Sequence, residues 1–166
     1  MAFLRRSRIR RAGPGRYAIA LPKPERELLL DLAEQLRDVL LATTEDPTLR
    51  RLFPTAYHDD PDRDREYQQL VRDELLERRL AALALVEETA SADELDEAGL
   101  TGWLTALNDL RLVLGTRLDV SEDDLRVDPN DPDAPAYAVY HYLGMLLGEV
   151  VDALESDLPP PSEPDV

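Results

Sequence analysis

The chain contains no cysteine. A disulfide framework, a thiolate zinc site and thiol redox chemistry are therefore excluded within it. Histidine is nearly as scarce, with two residues in 166, so a transition-metal site would need carboxylates for the rest of its shell. Long apolar runs are missing too. The longest is "LAALALV", Leu80 to Val86, against the ~20 residues that a bilayer-spanning helix requires. The arginine-rich start leads only to "YAIAL", which Pro22 and Lys23 cut off; a secretory signal needs a longer apolar stretch. The expectation is a cytoplasmic protein without a membrane segment. No glycine-rich phosphate loop and no nucleophile–base pair stands out. The chain reads as a non-enzyme with no catalytic residue, metal ligand or cofactor assigned.

Lysine is another scarcity: eighteen of the nineteen basic residues are arginine. Against them stand 35 acids, for a net charge of −16. The charge is unevenly placed. Residues 1–24 hold six arginines and the lone lysine without an acid, +7, and the remainder carries −23. Such an acidic body repels nucleic-acid backbones. Only the N-terminal segment, with Arg5, Arg6, Arg8, Arg10 and Arg11, offers a cationic partner-binding surface. Either it folds back on its own acidic body, or it docks on an external acidic protein or on DNA.

The pattern along the chain predicts a mostly α protein. Four main helices and one or two short ones form a bundle, preceded by a small β-hairpin. "FLRRSRI" and "RYAIAL" are the hairpin strands, with "AGPG" as the turn; Tyr17, Ile19 and Leu21 share one face. "PKPERELLLDLAEQLRDVLLATT" is the first helix, its stripe Leu28, Leu29, Leu32, Leu36, Val39 and Leu40. Asp46-Pro47 and Asp60-Pro61 each read as a cap followed by a first helical residue. The second long helix runs to about Thr89, with Tyr67, Leu70, Val71, Glu74, Arg78, Ala81, Ala82 and Leu85 as its expected core face. "SADE" at 91–94 has the form of a capping box. A third helix covers about Glu97 to Leu118. The last covers about Pro135 to Glu155, its inner face Tyr137, Tyr140, Leu143, Gly144, Leu147, Val151 and Leu154. Tyr142 and Met145 point outward in this reading and mark a candidate homodimer or partner patch. Residues 1–155 form one helical domain, with 1–22 as its basic hairpin segment. Residues 156–166 form an acidic, proline-rich tail expected to be disordered.

The third helix carries "WLTALNDLRLVLGTRL", Trp103 to Leu118, apolar on most sides yet holding Asn108, Asp109 and Arg111. At about 100° per residue, Arg111 falls about 80° from Trp103, within the arc of Leu104, Leu107 and Leu118. Asn108 lies at the edge of that arc. Asp109, at about 240°, faces outward or toward a second neighbour. An inward guanidinium needs a partner, and Glu74 is the first candidate because it too lies within an expected apolar face. Two readings stand: a buried ion-pair clamp that orients two helices, or a small anionic-ligand site lined by Arg111 and Asn108. His58, Asp59, Asp60, Asp62 and Asp64 form the one cluster worth weighing for a divalent metal, and it reads better as a helix start.

The same stretch, together with "FPTAYHDD" at 53–60 and the closing "YLGMLLGEVVDAL", resembles an actinobacterial family of unknown function whose members are often encoded beside the proteolytic adaptor ClpS. The likeness runs from Phe3 to about Leu154. It covers the signature residues Trp103, Asn108, Asp109, Leu110, Arg111, Gly115, Thr116 and Arg117. The family is also described as oxidation-sensing transcriptional regulators that act with a sigma factor through a pair of N-terminal cysteines. The resemblance thus implies a transcription-linked regulator that binds a sigma factor or RNA polymerase. Here "MAFLRRSRIRRAG" has no cysteine, so disulfide sensing is lost. The ClpS neighbourhood implies the alternative, a partner in Clp-linked regulated proteolysis. A small-anion or divalent-metal binding protein is the third reading.

Overall fold

Proline and aspartate mark most of the helix starts, and they do so for a physical reason. A helix leaves its first N–H groups without partners. An aspartate before it accepts from one, and a proline in its first turn has no N–H to orphan. In the computed structural model, which describes residues 6–43, 45–120 and 128–159, helix α1 spans Lys23–Ala42 behind Pro22. A 3-10 helix, Pro47–Leu49, is capped by Asp46, which accepts from Thr48 N at 2.8 Å. Helix α2, Pro61–Thr89, is capped by Asp60, which accepts from Arg63 N at 3.1 Å. Helix α3 is Glu97–Arg117 and α4 is Ala134–Glu155. No helix among the described residues is long and apolar enough to cross a membrane.

The expected hairpin is present but displaced. Strands β1 (Ile9–Gly13) and β2 (Arg16–Ile19) pair antiparallel, Ile9 opposite Ile19 and Arg11 opposite Tyr17. Pro14 and Gly15 alone turn the chain, Gly15 at φ 62°. This short connection fixes the register, so Ala12 and Gly13 belong to the strand, which starts at Ile9; Phe3 to Arg5 of the expected strand lie outside the described residues. Tyr17, Ile19 and Leu21 are buried together as the alternation predicts. A third strand was not foreseen. Glu94–Asp96, β3, pairs antiparallel with β2, giving the sheet order β1-β2-β3. The free edge of β2 carries backbone groups that need partners, and this short extended segment supplies them. The capping role expected of "SADE" passes to Asp96, which accepts from Gly99 N at 2.7 Å.

Two helix faces differ from the periodic reading. In α2 the inward row is Ala82, Leu83 and Val86, with Leu75 and Leu76 half-buried above it. Of the expected face, Ala82 is buried and Val71 and Leu85 are half-buried, but the rest is turned outward: Tyr67 is 39% and Leu70 81% exposed, and Glu74, Arg78 and Ala81 are exposed. The first half of α2 is polar on nearly all sides, so its few apolar residues hold no orientation; packing of the second half against α1 and α3 does. In α4 the buried row is Leu143, Leu146, Val150 and Ala153, while Leu147, Val151 and Leu154 are half-buried. This helix is covered from two sides, by α3 and by β1, which turns its centre away from a single-neighbour stripe. Tyr142 is accordingly not an outward ring. It is half-buried, and its hydroxyl donates to Glu25 Oε2 at 2.7 Å. Met145 also packs against the core.

The orientation of α2 is open to direct test by urea denaturation followed through Trp103, the sole tryptophan. Leu83→Ala is expected to cost about 2–5 kcal/mol and Leu70→Ala less than about 0.5 kcal/mol. Comparable losses at the two positions would mean that α2 is rotated from the orientation described.

Candidate functional site

The polar residues of the α3 signature part company once the helix is packed. Asp109 faces α2 and is 1% exposed. Its partner is Arg79, whose Nη1 donates to Asp109 Oδ1 at 2.5 Å. Arg79 Nη2 donates to the Leu52 carbonyl at 3.0 Å, and its guanidinium lies 5.9 Å from the Phe53 ring centre. One side chain therefore ties α2, α3 and the segment after the 3-10 helix. Burial pushes the Asp109 carboxyl above the usual carboxylate range, and the Arg79 charge and hydrogen bond oppose that push. Trp103 is fully buried a turn and a half earlier, its Nε1 donating to Thr89 Oγ1 at 2.8 Å.

Arg111 does lie inward, but not on Glu74. Glu74 pairs with Arg78 at 2.9 Å on the solvent side of α2, both well exposed. The outward rotation of that face is what separates them. Arg111 turns instead to α4. Its guanidinium sits 4.9 Å from the Tyr140 ring centre, and its stem crosses Gly144, where a Cβ would stand 3.4 Å from Nε. Gly148, one turn on, has nothing near its missing side chain. Gly115 is enclosed by Tyr140 and Arg51. Asn108 is half-buried, and Arg117 is exposed at the rim of a small cavity of about 180 Å³ lined mainly by Leu32, Leu36, Val39, Leu110 and Val113.

The N-terminal arginines divide. Arg5 lies outside the described residues. Arg8 is held by Glu25 at 2.9 Å, and its backbone N–H, with that of Ile9, donates to Glu149 Oε2. Arg11 pairs with Asp157, and Arg16 with Glu94 at 2.9 Å. Asp157 also accepts from Tyr17 Oη and Gly15 N, so the chain just beyond α4 is bound to the hairpin; residues 160–166 lie outside the described set. Arg6 and Arg10 are exposed and make no ion pair among the described residues. The acids at 58–64 serve local ends: Asp60 caps α2, and Asp64 accepts from Ala56 N and Tyr57 N. No group of His, Asp or Glu among the described residues is arranged to hold a metal ion.

Sequence reasoning missed two arginines. Arg79 stands one position from the expected Arg78, in line with Leu75, Leu76, Leu83 and Val86; that alternative row was the signal. Arg26 donates to the carbonyls of Leu21, Ala90 and Ala92 at 2.7–2.8 Å, joining α1 to the end of α2. Carbonyl acceptors leave no mark in a side-chain pattern.

The comparisons with known proteins bear on this helical body. The family described as a domain of unknown function, DUF2017, matches residues 6–154. The chain belongs to that family. A Mycobacterium leprae protein whose name carries oxidative stress regulator AosR is 34% identical over 129 residues, 66% of this chain and 59% of its own length. Oxidative stress regulator AosR of Mycobacterium bovis and of Mycobacterium tuberculosis is 34% identical over 119 residues, 61% of this chain and 55% of the relative. The chain thus spans under three-fifths of the length of these curated relatives. No solved structure matches it. DUF2017 membership agrees with the resemblance carried by the Trp103 stretch, and this member of the family has no cysteine.

Breaking the buried pair by Asp109→Ala is expected to cost about 3–5 kcal/mol, with most of it recovered by adding Arg79→Met. Glu74→Ala should cost less than about 0.5 kcal/mol. Denaturation curves that rank Glu74 with Asp109 would refute the assignment. A pH series tests the hairpin clasp. The Tyr17 hydroxyl, the Arg11 guanidinium and the Gly15 N–H hold the Asp157 carboxyl below its ordinary range. Its stabilisation is therefore present above the unfolded value, about 3.9, and lost as pH falls through the lower folded value. The stability gap between the natural chain and Asp157→Asn should be full at neutral pH and close in acid. A gap that widens in acid would contradict the clasp.

Proposed function

We propose that this chain is a regulator that works by protein–protein contact in the cytoplasm, without catalysis and without thiol sensing, and that its partner is a sigma factor or RNA polymerase. The observation that carries the reading is the 34% identity to proteins named oxidative stress regulators, beside a family match over residues 6–154. The lack of cysteine removes thiol oxidation in this chain as the trigger. The hairpin supports a contact role. Arg8, Arg11 and Arg16 are occupied by acids of the same chain, which leaves Arg6 and Arg10, among the described residues of this segment, as cationic points on an acidic molecule. A charge of −16 opposes a nucleic-acid backbone. Arg6 and Arg10 suit an acidic protein surface better.

Affinity capture from host lysate with quantitative mass spectrometry tests this. Deleting residues 1–12 would remove buried Ile9 and the β1 contacts to Glu149, so charge reversal is the sounder control. The natural chain should enrich a sigma factor or polymerase, and Arg6→Glu with Arg10→Glu should reduce the yield about tenfold. Enrichment of Clp components in their place would overturn the reading and move the protein to proteolysis.

A further inference from the structure

In a chain with 35 acids, many arginines find carboxylates or carbonyls: Arg8, Arg11, Arg16, Arg26, Arg37 and Arg79 all do. Arg51 and Arg111 do not. Neither makes a hydrogen bond or an ion pair among the described residues, and both approach Tyr140. The Tyr140 ring carries the Arg111 guanidinium at 4.9 Å. The point where a Gly115 Cβ would stand is 3.0 Å from Tyr140 Cε2 and 3.5 Å from Arg51 Nη1. Gly115 thus lets α4 and the end of the 3-10 segment close in on α3, so that Tyr140 has the Arg111 guanidinium over its ring and Arg51 at the Gly115 side of its edge.

Arg111 is held in place. Its stem is threaded across Gly144, and its Nε is buried without a partner. Its Nη atoms are not among the buried unpartnered atoms. The guanidinium is therefore fixed by its inner edge and presents its outer donors. Among the described residues neither charge has an acidic partner, and negative charge farther away is screened beyond about 8–10 Å in ordinary salt. A bound anion supplies that partner. Guanidinium forks match phosphoryl oxygens with paired, charge-assisted hydrogen bonds.

We propose that Arg51 and Arg111, assembled on Tyr140 at Gly115, form a binding site for a small phosphoryl dianion, either free phosphate or a phosphate monoester. The test is thermal melting of the full chain in inorganic phosphate and, separately, in glycerol phosphate, each against chloride at equal ionic strength. A ligand that binds the folded state raises Tm saturably. A rise with phosphate alone supports the site and identifies the free ion; a rise with both extends it to monoesters. Arg51→Gln, at an exposed position, should move the midpoint to about tenfold higher concentration or beyond, and Arg111→Gln likewise where it folds. Arg50→Gln, next in the chain, should leave the midpoint in place. No rise over chloride in the natural chain, or equal weakening by Arg50→Gln and Arg51→Gln, would overturn the site.

Discussion

Arg79 stands where α2, α3 and the segment after the 3-10 helix meet. One nitrogen of its guanidinium donates to Asp109 and another to the Leu52 carbonyl. A charge brought this far out of water has few acceptable positions, because each unpaired donor or acceptor is costly. The pair is not a strong source of stability in itself. Burial holds Asp109 above its ordinary carboxyl range despite the adjacent cation, which shows how much hydration the site gives up. What the pair supplies is register. Sliding or turning α2 against α3 would part Arg79 from Asp109 and bury both alone, and apolar packing by Ala82, Leu83 and Val86 sets no comparably sharp constraint.

A second guanidinium does for the other end of α2 what Arg79 does for its middle. Arg26 gathers the carbonyls of Ala90 and Ala92, just past the last turn of α2, and that of Leu21, just past β2. Those carbonyls would otherwise lack partners where the chain passes from helix to sheet. The hairpin is then clasped by acids. Glu149 of α4 accepts two backbone N–H groups at the start of β1, and Asp157 accepts at the turn and from Tyr17. A two-stranded hairpin is marginal alone. Here it is held by β3 and by carboxylates from the acidic body, so part of the basic charge of the N-terminal segment, at Arg8, Arg11 and Arg16, is used internally.

What was legible in the sequence was local. The starts at Asp46-Pro47 and Asp60-Pro61 depend on neighbouring residues only, and both lie where the chain text places them. The Tyr17, Ile19, Leu21 face follows from a period of two that no distant contact alters. Family membership was legible as well, from the signature of α3. The face of α2 was not, because its first half is so polar that several rotations look alike, and Arg78 and Arg79 are separated only by which one meets Asp109. Strand β3 was hidden for a related reason: three residues become a strand only because β2 offers an edge. Of the candidate site, the inward turn of Arg111 was readable and its partner was not, since a ring face and a glycine gap leave no charge pattern.

Asp109 and Arg111 therefore illustrate two solutions to one problem on the same helix. Two residues apart, they point to opposite neighbours, α2 and α4. Asp109 is neutralised by a paired cation, which makes it a fixed part of the frame. Arg111 is accommodated by a π face, which offsets part of the desolvation but supplies no acceptor for its outer donors. Stacking orients the guanidinium without satisfying it. On the α2 side the charges are paired, and the atoms the pair leaves over, Arg79 Nε and Asp109 Oδ2, are buried out of reach of a ligand. On the α4 side the Nη donors of Arg111 are not among the buried atoms, and that accessibility separates the residues that hold this fold from those available to bind.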